Sequence, residues 1–197
     1  MKALYLVIVA MILCIASCTP GPLTTEQYAA YIADEDNGLR KSVTSNGTTI
    51  TVSYRPADLL VKQSLAGSIS PDVIKERRKQ YSQYLYFVLG LSSGNRETLH
   101  ATSGDTYSGL LQTLSFRMND FITLTTSAGD TIPVGDFMLN RTYGMGTSTD
   151  VLVVFSGEKV KGREWIQFNL NEFGLVAGNQ RFRFDVKDLR ESPAVRF

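Results

Sequence analysis

The chain has two cysteines, Cys14 and Cys18, and both fall within its first 18 residues. Everything downstream must therefore fold without a disulfide, a thiolate nucleophile or a cysteine-based metal site. The remaining length of about 180 residues suits one domain with a sizeable core and no covalent staples. An apolar run, Ala3 to Ala16, contains Cys14, ends two residues before Cys18 and follows the short positive start Met1-Lys2. Such a run is a signal-peptide hydrophobic region, too short for the ~20 apolar residues a bilayer span needs. Thr19-Pro20-Gly21-Pro22 then ends it, since proline lacks an amide donor and clashes with the preceding helical turn.

Ile15-Ala16-Ser17-Cys18 resembles the bacterial lipobox, an aliphatic residue and two small ones before a cysteine that receives diacylglyceryl. The expected organisation is a signal peptide over 1–17, the lipidated Cys18 and a tether over 18–24, and a single β-rich domain over 25–197. A plain secretory signal cleaved near Ser17 and an uncleaved anchor are the competing readings. Cys14 is a poor acceptor, because Met11-Ile12-Leu13 before it is bulky throughout. Several acyl chains, palmitate among them, would give stable membrane attachment where one chain would not. Thr19 is not the aspartate associated with inner-membrane retention, and Thr19 to Thr25 lacks the early acidic cluster linked to surface export. The expected location is the bacterial outer membrane, lipid-anchored and facing the periplasm.

Of 20 basic residues one is Lys2, which leaves 19 against 19 acidic ones in the processed chain. A near-neutral domain does not offer the basic face a nucleic acid needs. The densest basic run, Lys75-Glu76-Arg77-Arg78-Lys79, reads as the solvated side of a helix, with anionic headgroups as the alternative contact.

Thr24 followed by Gln27 is a capping box opening a helix over Thr25–Asp36, with Tyr28, Tyr31 and Ile32 on one side and Asn37-Gly38 as its exit. Thr48 to Tyr54 alternates as a strand, Pro56 ends it, and Ala57 to Leu65 allows one or two helical turns. Ser70-Pro71-Asp72 starts a helix running to about Gln83 that buries Val73, Ile74 and Tyr81. Tyr84 to Ser92 is apolar on both faces, as a central strand would be. Asp105 to Thr113 fits helix or loop equally. Phe121–Thr126 and Thr131–Leu139 flank a hairpin at Ala128-Gly129-Asp130, and strands follow at Val151–Phe155, Glu164–Leu170 and Arg181–Val186. The expected fold is mainly β, an antiparallel immunoglobulin-like β-sandwich with two or three helices in the N-terminal half.

Chemistry-bearing residues are sparse. His100 is the only histidine, which excludes a His-x-x-x-His zinc pair, and its surroundings read as loop. Ser156 and Lys159 have Ser-x-x-Lys spacing but leave a strand rather than open a helix. Asp120, Asp130, Asp136 and Asp150 fall near strand ends without a calcium-loop spacing. Asp130-Thr131-Ile132 resembles an O-glycosylation sequon of Bacteroidetes. The Gly-rich segment from Arg141 to Ser148 is the candidate partner-binding loop, through Arg141, Tyr143 and Met145. No catalytic residue, metal or cofactor is assigned.

The Ser-Cys lipobox, Asn37-Gly38-Leu39-Arg40-Lys41, Tyr54-Arg55-Pro56 and Asp130-Thr131-Ile132-Pro133 together resemble uncharacterised lipoproteins of Bacteroidetes. The resemblance implies a compartment and no activity. The expected function is a non-enzymatic binding or assembly module tethered to the membrane by its lipid, with an envelope protein or glycan as partner. The rivals are an envelope hydrolase using Asp, Glu and Ser groups distant in sequence, which a cleft lined by paired carboxylates would favour, and a purely structural subunit of an envelope complex.

Overall fold

The computed structural model describes residues 21–65, 67 and 70–197, so the expected signal peptide over 1–17, the expected lipidation site Cys18 and the first part of the expected tether lie outside the described residues. The capping box forms as the spacing demands: Thr24 and Gln27 exchange side chain-to-backbone hydrogen bonds and open helix α1, Thr25–Ala33. The helix is shorter than expected, because Asp34 turns extended and a 3-10 turn over Glu35–Asn37 replaces the last α-turn before left-handed Gly38.

Strands β1 (Arg40–Ser45), β2 (Thr48–Arg55) and β3 (Tyr84–Ser93) form an antiparallel meander. Helices α2 (Ala57–Ser64) and α3 (Pro71–Tyr81) lie between β2 and β3. Short β4 (Arg96–Glu97), one helical turn α4 (Thr98–Ala101) and helix α5 (Gly104–Phe116) then lead to β5 (Ile122–Thr126). After β6 (Thr131–Pro133) come β7 (Asp136–Asn140), β8 (Thr149–Ser156), β9 (Trp165–Leu170), β10 (Gln180–Asp185) and α6 (Val186–Arg190). One sheet has the order β1-β2-β3-β8-β7, with β4 on the end of β3; the other has the order β10-β9-β5-β6.

The sheets share one core, and β3 shows how. Its Phe87 ring lies 5.8 Å from Phe168 on β9 and 5.3 Å from Phe184 on β10, and 6.1 Å from Phe155 on β8 in its own sheet. Aliphatic residues complete the interior from both inner faces, among them Ile50, Leu89, Val151, Leu124 and Ile166.

The chain is thus mainly antiparallel β, as expected, but two finer expectations are corrected. The order differs from the four-against-three division of an immunoglobulin domain, because the first three strands stay together in one sheet. Helices are not confined to the N-terminal half either: α5 and α6 lie beyond it, and Asp105–Thr113 falls inside α5. Thr131–Leu139 is two strands, since Pro133 has no amide for the ladder and closes edge strand β6, and Val134-Gly135 carries the chain across to the other sheet. Helix α3 fully buries none of its residues; Val73, Ile74 and Tyr81 are only half-covered. Arg78 faces water as expected, with 47% of its side chain exposed, while pairing with Asp58 of α2 at 2.7 Å and stacking 4.7 Å over Phe197. Among the described residues no helix is long and apolar enough to cross a membrane.

Candidate functional site

Alternation along a strand sends successive side chains to opposite faces. On β3, Phe87, Leu89 and Leu91 enter the core, leaving Val88, Gly90 and Ser92 on the outer face; on β2, Ile50 and Val52 do the same for Thr49, Thr51 and Ser53. The antiparallel register then sets Thr51, Gly90, Asp150 and Asn140 in one row across four strands. This outer face is the floor of a cleft of about 600 Å³, within the size range of small-molecule sites. Ala29 and Ile32 of α1, Leu59 of α2, and Thr147 and Ser148 of the β7–β8 loop supply its walls.

Gly90 sits where that row needs space. A Cβ there would stand 3.2 Å from Asp150 Oδ1 and 3.8 Å from Ser148, so a side chain would crowd the only carboxylate that lines the cleft among the described residues. Ser148 Oγ donates to that oxygen at 2.6 Å. Partial burial raises the Asp150 pKa, the nearby charge of Glu97 adds to the rise, and the Ser148 hydrogen bond only partly offsets it. Tyr54, also lining the cleft, stays a phenol: burial, then Tyr28 and Tyr86, push it up to about 12.

Arg40 and Arg55 line the cleft on the β1–β2 side. Neither joins an ion pair among the described residues. Arg55 Nε is buried without a hydrogen-bond partner, and burial lowers the pKa of its guanidinium. Such an orphaned donor costs free energy unless something else accepts from it.

The β7–β8 loop has its shape because of Glu97. β4 pairs Glu97 with Ser92, in line with the start of β8, so the loop must fold over a carboxylate that is only 5% exposed. The Thr142 hydroxyl and the Gly144 and Gly146 amides, each at 2.9 Å for the amides, all donate to Glu97 Oε1. Gly144 has φ +85°, and a Cβ there would meet the His100 ring at 3.0 Å. Desolvation alone would raise the Glu97 pKa, but the three hydrogen bonds and His100 outweigh it and leave it lowered. The concave run of amides, a geometry suited to an outside anion, is filled by the chain's own carboxylate.

That geometry divides the sequence-derived loop residues. Arg141 stacks 4.6 Å over Tyr143, donates to the Tyr107 hydroxyl at 3.2 Å, and with His100 lines a separate cavity of about 130 Å³. Met145 is 87% exposed and lines neither cavity. His100 lies on the helical turn α4 rather than in a loop, because Thr98 and Leu99 beside it are buried. Ser156 accepts from the Glu158 amide at 3.5 Å, a local turn in which Lys159 remains exposed. Asp120 pairs with Arg117 and Asp130 with Arg163, while Asp136 accepts from the next amide, Phe137. Among the described residues no group of three or more His, Cys, Asp or Glu could hold a metal ion.

Of the four aspartates noted in the sequence, only Asp150 reaches the cleft. The sequence reading quotes Arg40 and Arg55 only within its resemblance motifs, not as site residues, and does not single out Gly90 or Glu97. A glycine inside a central-strand pattern was the available signal, since it marks close approach of another group to the backbone.

No protein-family model matches the chain, and no curated protein matches it. A solved structure from Burkholderia pseudomallei K96243, described as a novel protein of unknown function, is similar at 15% identity over 87% of this chain and 93% of that one, with a TM-score of 0.38.

Proposed function

We propose that this chain is an envelope lipoprotein of the Bacteroidetes type, anchored through Cys18 in the outer membrane and facing the periplasm, that acts as a non-enzymatic binding module. Its binding site on this reading is the cleft on the outer face of the β1-β2-β3-β8-β7 sheet. The observation that carries the reading is the cleft's lining: hydroxyl side chains on neighbouring strands, two guanidinium groups and a single carboxylate. Such a surface offers hydrogen bonds in both directions, and the one hydroxyl-carboxylate pair in it, Ser148 with Asp150, has no histidine beside it in the lining.

A hydrolase of the paired-carboxylate kind needs a second acid across the cleft from the first. Glu97 and Asp150 do have pKa values moved in opposite directions, as acid-base pairs do. Glu97, however, spends its hydrogen bonds on the β7–β8 loop and does not line the cleft. The address rests on Ile15-Ala16-Ser17-Cys18.

The test is a mild-detergent pulldown from native membranes with Cys18→Ala as comparison. Wild-type protein is expected in the membrane fraction, with acyl chains on Cys18 by mass spectrometry and a stoichiometric envelope partner or bound glycan. Cys18→Ala should move to the soluble fraction and lose or weaken that association. A Cys18→Ala protein that remains membrane-bound as the wild type does would overturn the anchoring.

A further inference from the structure

Charge in the cleft is divided between its ends. Counting along the strand register, Arg40 pairs with Ser53, and Arg55 lies two residues beyond Ser53 on β2. At ~3.3 Å per residue and ~4.8 Å per strand, the Cα atoms of both arginines lie about 16 Å from that of Asp150 and about 8 Å from each other. Between the two ends the floor carries hydroxyls of β2 and β3 around the apolar Val88, with the bare backbone of Gly90 beside the carboxylate.

Each candidate ligand class makes a different demand on such a surface. A peptide strand recognised through its backbone needs a free sheet edge, whereas β2, β3 and β8 each have partners on both sides. A phosphate cradled by backbone amides wants a nest of free N–H groups, and the loop that has one gives it to Glu97. A lipid tail would meet the apolar wall of Ala29, Ile32 and Leu59 but strand the hydroxyls of the floor without partners. A sugar ring suits the floor, because its hydroxyls, like those of serine and threonine, donate and accept at once.

We propose that the cleft binds a saccharide carrying a carboxylate, with the acid group taken by Arg40 and Arg55 and the ring hydroxyls by the Thr51–Asp150 row. This deepens the binding-module reading and rests on it. The arginines supply charge-assisted hydrogen bonds that a neutral sugar cannot accept as strongly.

The experiment measures binding of digalacturonate, its methyl ester and neutral digalactose to the full-length lipidated protein in mild detergent by calorimetry. Variants are Arg40→Gln/Arg55→Gln and Asp150→Asn, each checked for an unchanged thermal transition. Wild type should prefer the acid over the ester and the neutral sugar by about tenfold or more, on the strength of hydrogen bonds to charged groups. The double variant should lose that preference while still binding the neutral sugar, and Asp150→Asn should weaken all three sugars. Equal binding of acid and neutral sugar by wild type would overturn the acid assignment and leave the binding-module reading standing. Absence of binding by any of the sugars to folded wild type would overturn the saccharide assignment, while the membrane pulldown separately decides the module itself.

Discussion

Phe87→Ala is expected to destabilise the protein by about 3–5 kcal/mol, the range for removing a fully buried aromatic side chain from a core. Phe87 has no exposed surface, and its ring meets Tyr54, Phe155, Phe168 and Phe184, so its loss opens a cavity bordered by four aromatic rings from both sheets. Those neighbours are held by strands on every side and have little freedom to collapse into the space. Against a total stability of about 5–15 kcal/mol, such a loss is large enough to move the urea midpoint well toward zero denaturant. Phe116→Ala is the control: that ring is 75% exposed, and its loss should change stability by no more than about 0.5 kcal/mol. The consequence reaches the cleft because β3 serves both faces, with Phe87 and Leu89 inward and Val88 and Gly90 outward. A Phe87→Ala protein as stable as Phe116→Ala would mean that the two sheets are not held together through this ring.

What the sequence made legible was local. Thr24 and Gln27 are three residues apart, so the capping box could be read directly, and the pairing of β5 with β6 follows from Ala128-Gly129-Asp130 between two alternating runs. Strand β1 escaped because Arg40–Ser45 is polar with only Val43 apolar, although Asn46-Gly47 after it is a strong hairpin turn. Its polarity suits an edge strand, where exposed charge discourages pairing with another chain. The cleft was illegible for a different reason. Arg55, Gly90 and Asp150 are far apart in the chain and meet only through strand order, which hydrophobic periodicity does not encode. Glu97 is the extreme case: its three donors lie 45 to 49 residues away, and nothing around it in sequence marks it as a buried acceptor.

That placement gives Glu97 the second large effect. Glu97→Ala removes the buried acceptor shared by Thr142, Gly144 and Gly146, leaving a loop shaped around a carboxylate that is no longer there. Hydrogen bonds to a charged group contribute about 1.5–3 kcal/mol each and do not simply add, so a loss of about 3 kcal/mol is expected. Glu97→Gln keeps an acceptor oxygen but not its charge, and should lose less. The pH dependence separates charge from shape. Because the folded pKa of Glu97 is lowered, its ionised form stabilises the protein above the unfolded carboxyl value of about 4.3, and that contribution disappears as pH falls through the folded pKa. Glu26 and Glu172 are lowered as well, so the informative quantity is the stability of wild type minus that of Glu97→Gln. The difference should shrink as pH falls below about 4.3. In Glu97→Ala the amides of Gly144 and Gly146 should also lose protection from hydrogen exchange, and the cleft should weaken, because the same loop carries Ser148 to its bond with Asp150. Unchanged protection of those two amides would show that the loop holds its shape without the carboxylate, and the link from Glu97 through Ser148 to Asp150 would fail with it.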